Sequence, residues 1–322
     1  MTDPISRREA LRILGATPLA APAAKWTPAA QSSPPARLQV GIASRHLQWT
    51  SLEDAVAMAA QIGFDGIEWN VRRGGHVEPA RVERDLPRAV EITRKAGLSV
   101  AMITTSIQDA MSPYAEAILA TASGLGITYY RGGEYFRYDY AGDLWRQLQD
   151  LKPRVASLAA LNEKYRTVVA YHTHSGAGNI GGNIWDLWEV IREIDPRVVG
   201  LNYDLGHATA RGGTGWIDAA HVVARHIRAL AIKDVVWVKG SDGRWRIDYC
   251  PLGEGMIDVA RLLPLLRAVD FNGPVNLHYE HSNLLGTDLG TWTLPISRGQ
   301  FATIVQRDLL YLRERLAAAA KA

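Results

Sequence analysis

A chain of 322 residues, with 47% apolar and 21% charged residues and a formal net charge of +3, has the composition of a globular domain with one large core and excludes a disordered or fibrous chain. Acids and bases are mixed along the sequence, which excludes the clustered basic stripe of a nucleic-acid-binding surface. Cys250 is the single cysteine, so no internal disulfide forms and stability must come from packing.

The N-terminal 24 residues stand apart in composition. Arg7 and Arg8 precede a short apolar run over 13–20, and Ala21-Pro22-Ala23 supplies small residues of the kind a signal peptidase cuts. The run is too short and too rich in Ala and Pro to span a bilayer, so no stable membrane insertion is expected. The segment resembles a twin-arginine export signal, which implies a periplasmic or secreted protein whose mature chain begins near Ala24 or Lys25. Residues 25–36 are rich in Pro, Ala, Ser and Gln and read as a linker.

From residue 37 to 319, short apolar β-rich runs alternate with helical patterns. Strands are expected near 38–43, 66–70, 98–103, 128–131, 167–172, 199–204, 229–234 and 275–280. Helices are expected near 52–62, 80–96, 114–125, 143–162, 184–194, 216–226, 257–269 and 300–319. Gly63, Gly97, Gly126, Pro196 and Gly273 punctuate the ends. Such strict alternation gives an α/β chain folded as a single (β/α)8 TIM barrel. The connections 235–252, carrying Trp237 and Trp245, and 281–298, carrying Trp292, are long and follow strands. They are read as loops over the face where such barrels carry chemistry.

Ionisable residues gather at the strand ends. Glu68 ends the second strand, and Gly74-Gly75-His76 follows. Thr104 and Thr105 end the third, Arg131 the fourth. Tyr171-His172-Thr173-His174 ends the fifth, where alternation lets both imidazoles look inward. Asp204-Leu205-Gly206-His207 ends the sixth; the next helix is expected to start too late for Asp204 to cap it. Lys233 and Asp234 end the seventh, and the turn Pro251-Leu252-Gly253-Glu254-Gly255 leads to the next helix. His278 and Glu280 share one face of the eighth.

The Pro-Leu-Gly-Glu-Gly turn, the Tyr-His-Thr-His run and the Asp-Leu-Gly-His end resemble the xylose-isomerase-like barrels of the sugar isomerase/epimerase superfamily, and the segment 72–87, with Gly-Gly-His-Val-Glu-Pro and later Asp-Leu-Pro, resembles that of its exported members. The resemblance spans about residues 38–318. It implies a divalent metal ligated by Asp204 and a substrate contact at His207. Two departures stand out. The usual fifth-strand ligand Glu is missing, and Ala231 sits where a ligating histidine is usual, in Ala231-Ile232-Lys233-Asp234. His278 aligns with the usual eighth-strand Glu. A metal is then expected on His174, Asp204 and His278, with Mn, Zn, Co or Fe suited to imidazole and carboxylate.

The expected function is proton transfer at a carbon next to a carbonyl of a sugar or keto-sugar. Glu280 is the expected base, His174 the second acid/base group, and Lys233 the stabiliser of an enolate oxygen. Glu68, His76, Arg131, His172, His207 and Trp237 are expected to contact a small carbohydrate. A keto-glycoside lyase or hydrolase and a non-catalytic carbohydrate binder stay open as alternatives. An endonuclease-IV-type phosphodiesterase is disfavoured by the near-neutral charge.

Overall fold

The computed structural model describes residues 38–133, 136–281 and 293–321. The expected export signal, the linker and Trp292 lie outside these residues. Eight parallel strands close into a barrel: β1 (Val40–Ala43), β2 (Gly66–Asn70), β3 (Met102–Thr104), β4 (Tyr129–Arg131), β5 (Val168–His172), β6 (Val199–Asp204), β7 (Ile227–Ile232) and β10 (Val275–Leu277). Each pairs with its sequence neighbours, and β10 closes the ring on β1. The expected (β/α)8 barrel is the observed one. Its strands are buried on both faces, which is why they read as near-continuous apolar runs rather than alternating ones.

Helices fill the connections: α1 (Leu52–Ile62), α2 (Val82–Lys95), α3 (Ala115–Gly124), α4 (Leu144–Tyr165), α5 (Trp185–Ile191), α6 (Leu205–Gly212), α7 (Trp216–Val223), α8 (Val259–Ala268) and α9 (Arg298–Lys321). Side-chain caps fix several starts, among them Ser51 for α1, Asp143 for α4 and Asp258 for α8. No helix among the described residues is long and apolar enough to cross a membrane.

Two expectations need correction. Helix α6 begins immediately after β6, and Asp204 caps it, its Oδ1 accepting from the His207 N–H at 2.9 Å. Its eight residues carry Gly, Thr and a second Gly, poor helix formers that hid it in the sequence. The connection 235–252 is not a plain loop. It is an antiparallel hairpin of β8 (Asp234–Lys239) and β9 (Trp245–Cys250), paired along its whole length.

The hairpin is anchored at its base by Asp234. That carboxylate accepts from the backbone N–H groups of Val235, Gly253, Gly255 and Ile257. Any side chain at Gly255 would strike it, with a Cβ also 2.6 Å from the Val235 carbonyl. The Pro-Leu-Gly-Glu-Gly turn is therefore a backbone cradle for one carboxylate, and Asp234 faces away from the barrel mouth.

Candidate active site

The carboxyl ends of β5, β6, β7 and β10 bring together His172, His174, Asp204, Lys233, His278 and Glu280. Lys233 lies one residue past β7, and His278 and Glu280 just past β10. All but His174 are buried or nearly so. Lys233 Nζ stands 2.7 Å from Glu280 Oε1, 3.2 Å from Asp204 Oδ2 and 2.7 Å from His207 Nε2. One ammonium is thus shared by two carboxylates and an imidazole. Gly206 makes room for it, since a Cβ there would lie 2.7 Å from the Lys233 carbonyl oxygen.

Burial and charge set the protonation states. Burial pushes the Asp204 carboxyl up to about 6, against the pull of Lys233 and with the push of Glu280. Burial also opposes ionisation of Glu280, but the nearer Lys233 outweighs it and holds this carboxyl below its usual range. Burial works against the Lys233 charge, and the two carboxylates overcome it, raising the lysine above its ordinary value. The imidazoles of His172, His207 and His278 are driven well below 6.5, first by burial and then by nearby Lys233 and Arg131. His174 falls to about 4 and His46 to about 3, both chiefly through burial. The site is therefore a set of neutral imidazoles around a charged core.

Hydrogen bonds fix two tautomers. His174 Nδ1 accepts from the Gly176 N–H at 3.0 Å, so its proton sits on Nε2. Lysine has only donors, so His207 Nε2 accepts from Lys233, and His207 Nδ1–H donates to Ser175 Oγ at 2.9 Å. His207 is 1% exposed. It does not open onto the cavity as expected for a substrate contact but positions Lys233 from behind.

The cavity lies on the β1–β4 side of the imidazoles. Its wall includes Glu68, Thr104, Arg131, His172, His174, His278 and Glu280, joined by Arg45, His46, Asn70 and Arg72. Its enclosed volume is about 30 Å³, enough for a water or an ion. Glu68 is buried, its Oε1 accepting from the Thr104 hydroxyl. Burial raises its pKa, although Arg131 and Thr104 pull the other way. Glu68 and Glu280 thus face one cavity with pKa values pushed in opposite directions, the pattern of an acid and a base.

Two expected residues are elsewhere. His76 bonds the Thr50 carbonyl at 3.3 Å and packs edge-on against Trp69. Trp237 bonds the Ala210 carbonyl at 3.2 Å on the hairpin, 41% exposed. Neither lines the cavity. Tyr249, on β9, was not anticipated. Its ring lies 5.1 Å from Lys233 Nζ and its hydroxyl bonds Glu280. Only the hairpin pairing brings it there, and that pairing was not read from the sequence. Arg45 and His46 directly follow β1, so their position at a strand end was a usable signal.

The residues fit a divalent metal, with one change of ligand. His172, Asp204 and His278 each offer a ligand atom, and these atoms lie within 4.8 Å of one another. His172 takes the place expected of His174, whose Nδ1 is engaged by Gly176 and Asn179. His278 Nε2 is buried with no hydrogen-bond partner. Asn202 Oδ1 is also buried and unpartnered, while its amide nitrogen lies 3.1 Å from His172 Nδ1. Turning that amide over satisfies Oδ1 and leaves His172 Nε2 as a lone pair. Ala231 pairs in register with Asp204 and is fully buried, so the position of the usual histidine offers only a methyl group.

The comparisons with known proteins agree with this architecture. An inosose dehydratase from Geobacillus thermodenitrificans (strain NG80-2) is 27% identical, over 74% of this chain and 88% of the relative. A 3-keto-D-glucoside 4-epimerase from E. coli superposes with a TM-score of 0.61 at 16% identity, covering 86% of this chain and 99% of that one. A xylose isomerase-like TIM barrel protein from Mycobacterium smegmatis, in complex with magnesium, superposes with a TM-score of 0.63 at 15% identity, covering 88% and 98%. At such identities the two structures establish the fold alone. The xylose isomerase-like TIM barrel family itself matches residues 56–314, most of the barrel from α1 to α9, and the chain belongs to that family.

Proposed function

We propose that the protein is an exported enzyme that moves a proton at a carbon next to the carbonyl of a sugar or keto-sugar, in the manner of an isomerase or epimerase. The observation that carries this reading is the pair Glu280 and Glu68 on one cavity, the first held below the usual carboxylate range by Lys233 and the second pushed above it by burial. The relatives named above, an inosose dehydratase and a 3-keto-D-glucoside 4-epimerase, support a carbohydrate substrate.

Glu280 takes the proton, held in place by Lys233 and the Tyr249 hydroxyl. The neutral imidazole of His174 donates its Nε2–H to the carbonyl oxygen as negative charge develops. Arg131 and Lys233 add positive potential at the same oxygen. Glu68 returns a proton to the substrate. A divalent metal on His172, Asp204 and His278 would polarise the carbonyl as a Lewis acid. Elimination is the second reading, because it shares the first step and the raised pKa of Glu68 suits it to assist a departing hydroxyl as an acid.

Exchange with solvent tests this without knowledge of the product. Incubated in D2O with D-allulose, D-tagatose and a keto-inositol, with and without Mn2+, the protein should put deuterium on the carbon next to the carbonyl of at least one of them. Glu280→Gln should slow that exchange by roughly 10²–10⁴-fold, the range of a general base. Exchange by the parent that survives Glu280→Gln unchanged would remove Glu280 from this role. No exchange with any of the three would favour the non-catalytic binder.

Export rests on residues 1–24. The double substitution Arg7→Lys, Arg8→Lys should hold the precursor in the cytoplasm, since the arginine pair is the address. Cell fractionation that finds the double variant outside the cytoplasm in normal amount would exclude the twin-arginine route.

A further inference from the structure

The cavity between Glu68 and Glu280 has room for little more than the reacting group of a ligand. The rest of a larger ligand must therefore lie on the rim. One side of that rim is deeply hollowed. A groove of about 840 Å³ runs between the connections that follow β4, β5 and β6, within the range of small-molecule sites. All three connections leave carboxyl ends of barrel strands, so the groove opens on the same face as the candidate active site.

Its lining is unusual for free surface. Tyr138 and Tyr140 stack with ring centroids 6.4 Å apart. Tyr140 is 70% exposed and Trp185, which also lines the groove, is 53% exposed. Planar polar groups alternate with these rings. Arg211 donates to Asn183 at 3.1 Å, and the Tyr138 hydroxyl donates to Asp186 at 3.0 Å. Trp185 is held outward by a strained turn. Ile184 has φ 54° and ψ −40°, and the Trp185 N–H donates to the Asn183 carbonyl at 2.6 Å. This is a γ-turn centred on a β-branched residue with positive φ, a conformation that costs energy and persists only where the surroundings impose it.

The groove and the central cavity share a wall. Thr173 and Asn179 line the groove, His174 lines the cavity, and Asn179 Nδ2 lies 3.1 Å from His174 Nδ1. The Thr173 hydroxyl also accepts from the Asp204 N–H at 2.9 Å. A ligand lying over this wall touches aromatic faces on one side and reacting groups on the other.

We propose that this groove is a second sugar subsite, binding a pyranose ring linked to the one that reacts, so that the substrate is a glycoside or disaccharide rather than a free monosaccharide. Exposed aromatic rings take the C–H face of a pyranose, and the amide, guanidinium and carboxylate groups between them match its hydroxyls. The identity of the reacting ring rests on the proposed function; occupation of the groove does not.

The test is binding, read by saturation-transfer NMR and by titration of tryptophan fluorescence. The probes are glucose and a panel of glucose disaccharides: maltose, cellobiose, trehalose and sucrose. At least one disaccharide should bind tenfold or more tightly than glucose. Trp185→Ala and Tyr140→Ala should weaken that disaccharide about tenfold. Both side chains are exposed, so both variants should keep the parental circular dichroism and Tm. A panel in which no disaccharide exceeds glucose, or variants with unaltered disaccharide affinity, would overturn the proposal. So would a Trp185→Ala protein that changes sedimentation coefficient but not sugar affinity, since the face would then be an interface between copies. Repeating the titration in Glu280→Gln separates the two readings. Disaccharide binding by a parent that puts deuterium neither on the bound disaccharide nor on the three free sugars keeps the subsite and removes the enzyme.

Discussion

Lys233→Met is expected to abolish turnover and to destabilise the fold in a pH-dependent way. The side chain is 2% exposed and neutralises two buried carboxylates at 2.7 and 3.2 Å. Removing one partner of such a cluster costs about 3–5 kcal/mol, because uncompensated charge is left in the interior. The loss should be greatest near pH 8 and shrink towards pH 6. In the variant, Asp204 and Glu280 both titrate above their unfolded values. Groups of that kind add stability only below those values and lose it as the pH rises through their folded ones. Turnover should fall by roughly 10²–10³-fold or more, the cost of a missing group at a developing oxyanion. Mn2+ or Zn2+ should bind the variant more tightly than the parent, since the ammonium no longer competes at Asp204 Oδ2. Calorimetry and urea unfolding at pH 6 and pH 8 read all but the turnover. A variant with parental stability at both values would show that the ion cluster does not hold the site.

The metal-free protein should lose stability in mild acid. Five imidazoles at the site, those of His46, His172, His174, His207 and His278, have folded pKa values below their unfolded value of 6.5. Stability from a depressed group is present above its unfolded pKa and is lost as the pH falls towards the folded one. Between pH 6.5 and about 4, the unfolded chain therefore takes up protons that the folded chain refuses. Asp204 and Glu68 oppose this, because their raised values let the folded chain take protons first. Five imidazoles against two carboxyls leave a net uptake by the unfolded chain, so stability falls as the pH drops below 6.5. Against a total stability of about 5–15 kcal/mol, that loss should show as a falling urea midpoint. Urea midpoints at pH 7.5, 6.5 and 5.5, in the presence of a chelator, measure it. A midpoint that stays level or rises over this range would mean that the imidazoles are not buried as described.

The barrel was readable from the sequence because parallel strands buried on both faces leave continuous apolar runs, and residues such as Gly63, Gly97 and Gly126 mark where the helices between them end. The strand-end residues were readable for the same reason: Asp204, Lys233 and Glu280 each follow or end such a run, and the barrel brings Lys233 between the two carboxylates. What lay beyond reach depended on contacts distant in sequence. His172 and His174 are equivalent by alternation, and only the Gly176 N–H on His174 Nδ1 leaves His172 facing Asp204 and His278. His76 follows a glycine pair that points towards the rim, yet Trp69 and Thr50 capture its ring. Tyr249 reaches Glu280 through a hairpin whose register sets it opposite Val235, on the face it shares with Trp237 and Ile247.

Asp234 has a consequence for how this site can diversify. Its carboxylate ties both ends of the hairpin to one point, while Lys233, the residue before it, is tied inside the barrel by Asp204, Glu280 and His207. Neighbouring residues thus carry two independent moorings on opposite sides of the backbone. The hairpin tip at residues 240–244 can lengthen, shorten or change its side chains with the inner cation still aimed at the same oxygens. The hairpin tip and the inner cation are mechanically uncoupled at a single peptide bond, while Tyr249 near the hairpin base keeps its hold on Glu280.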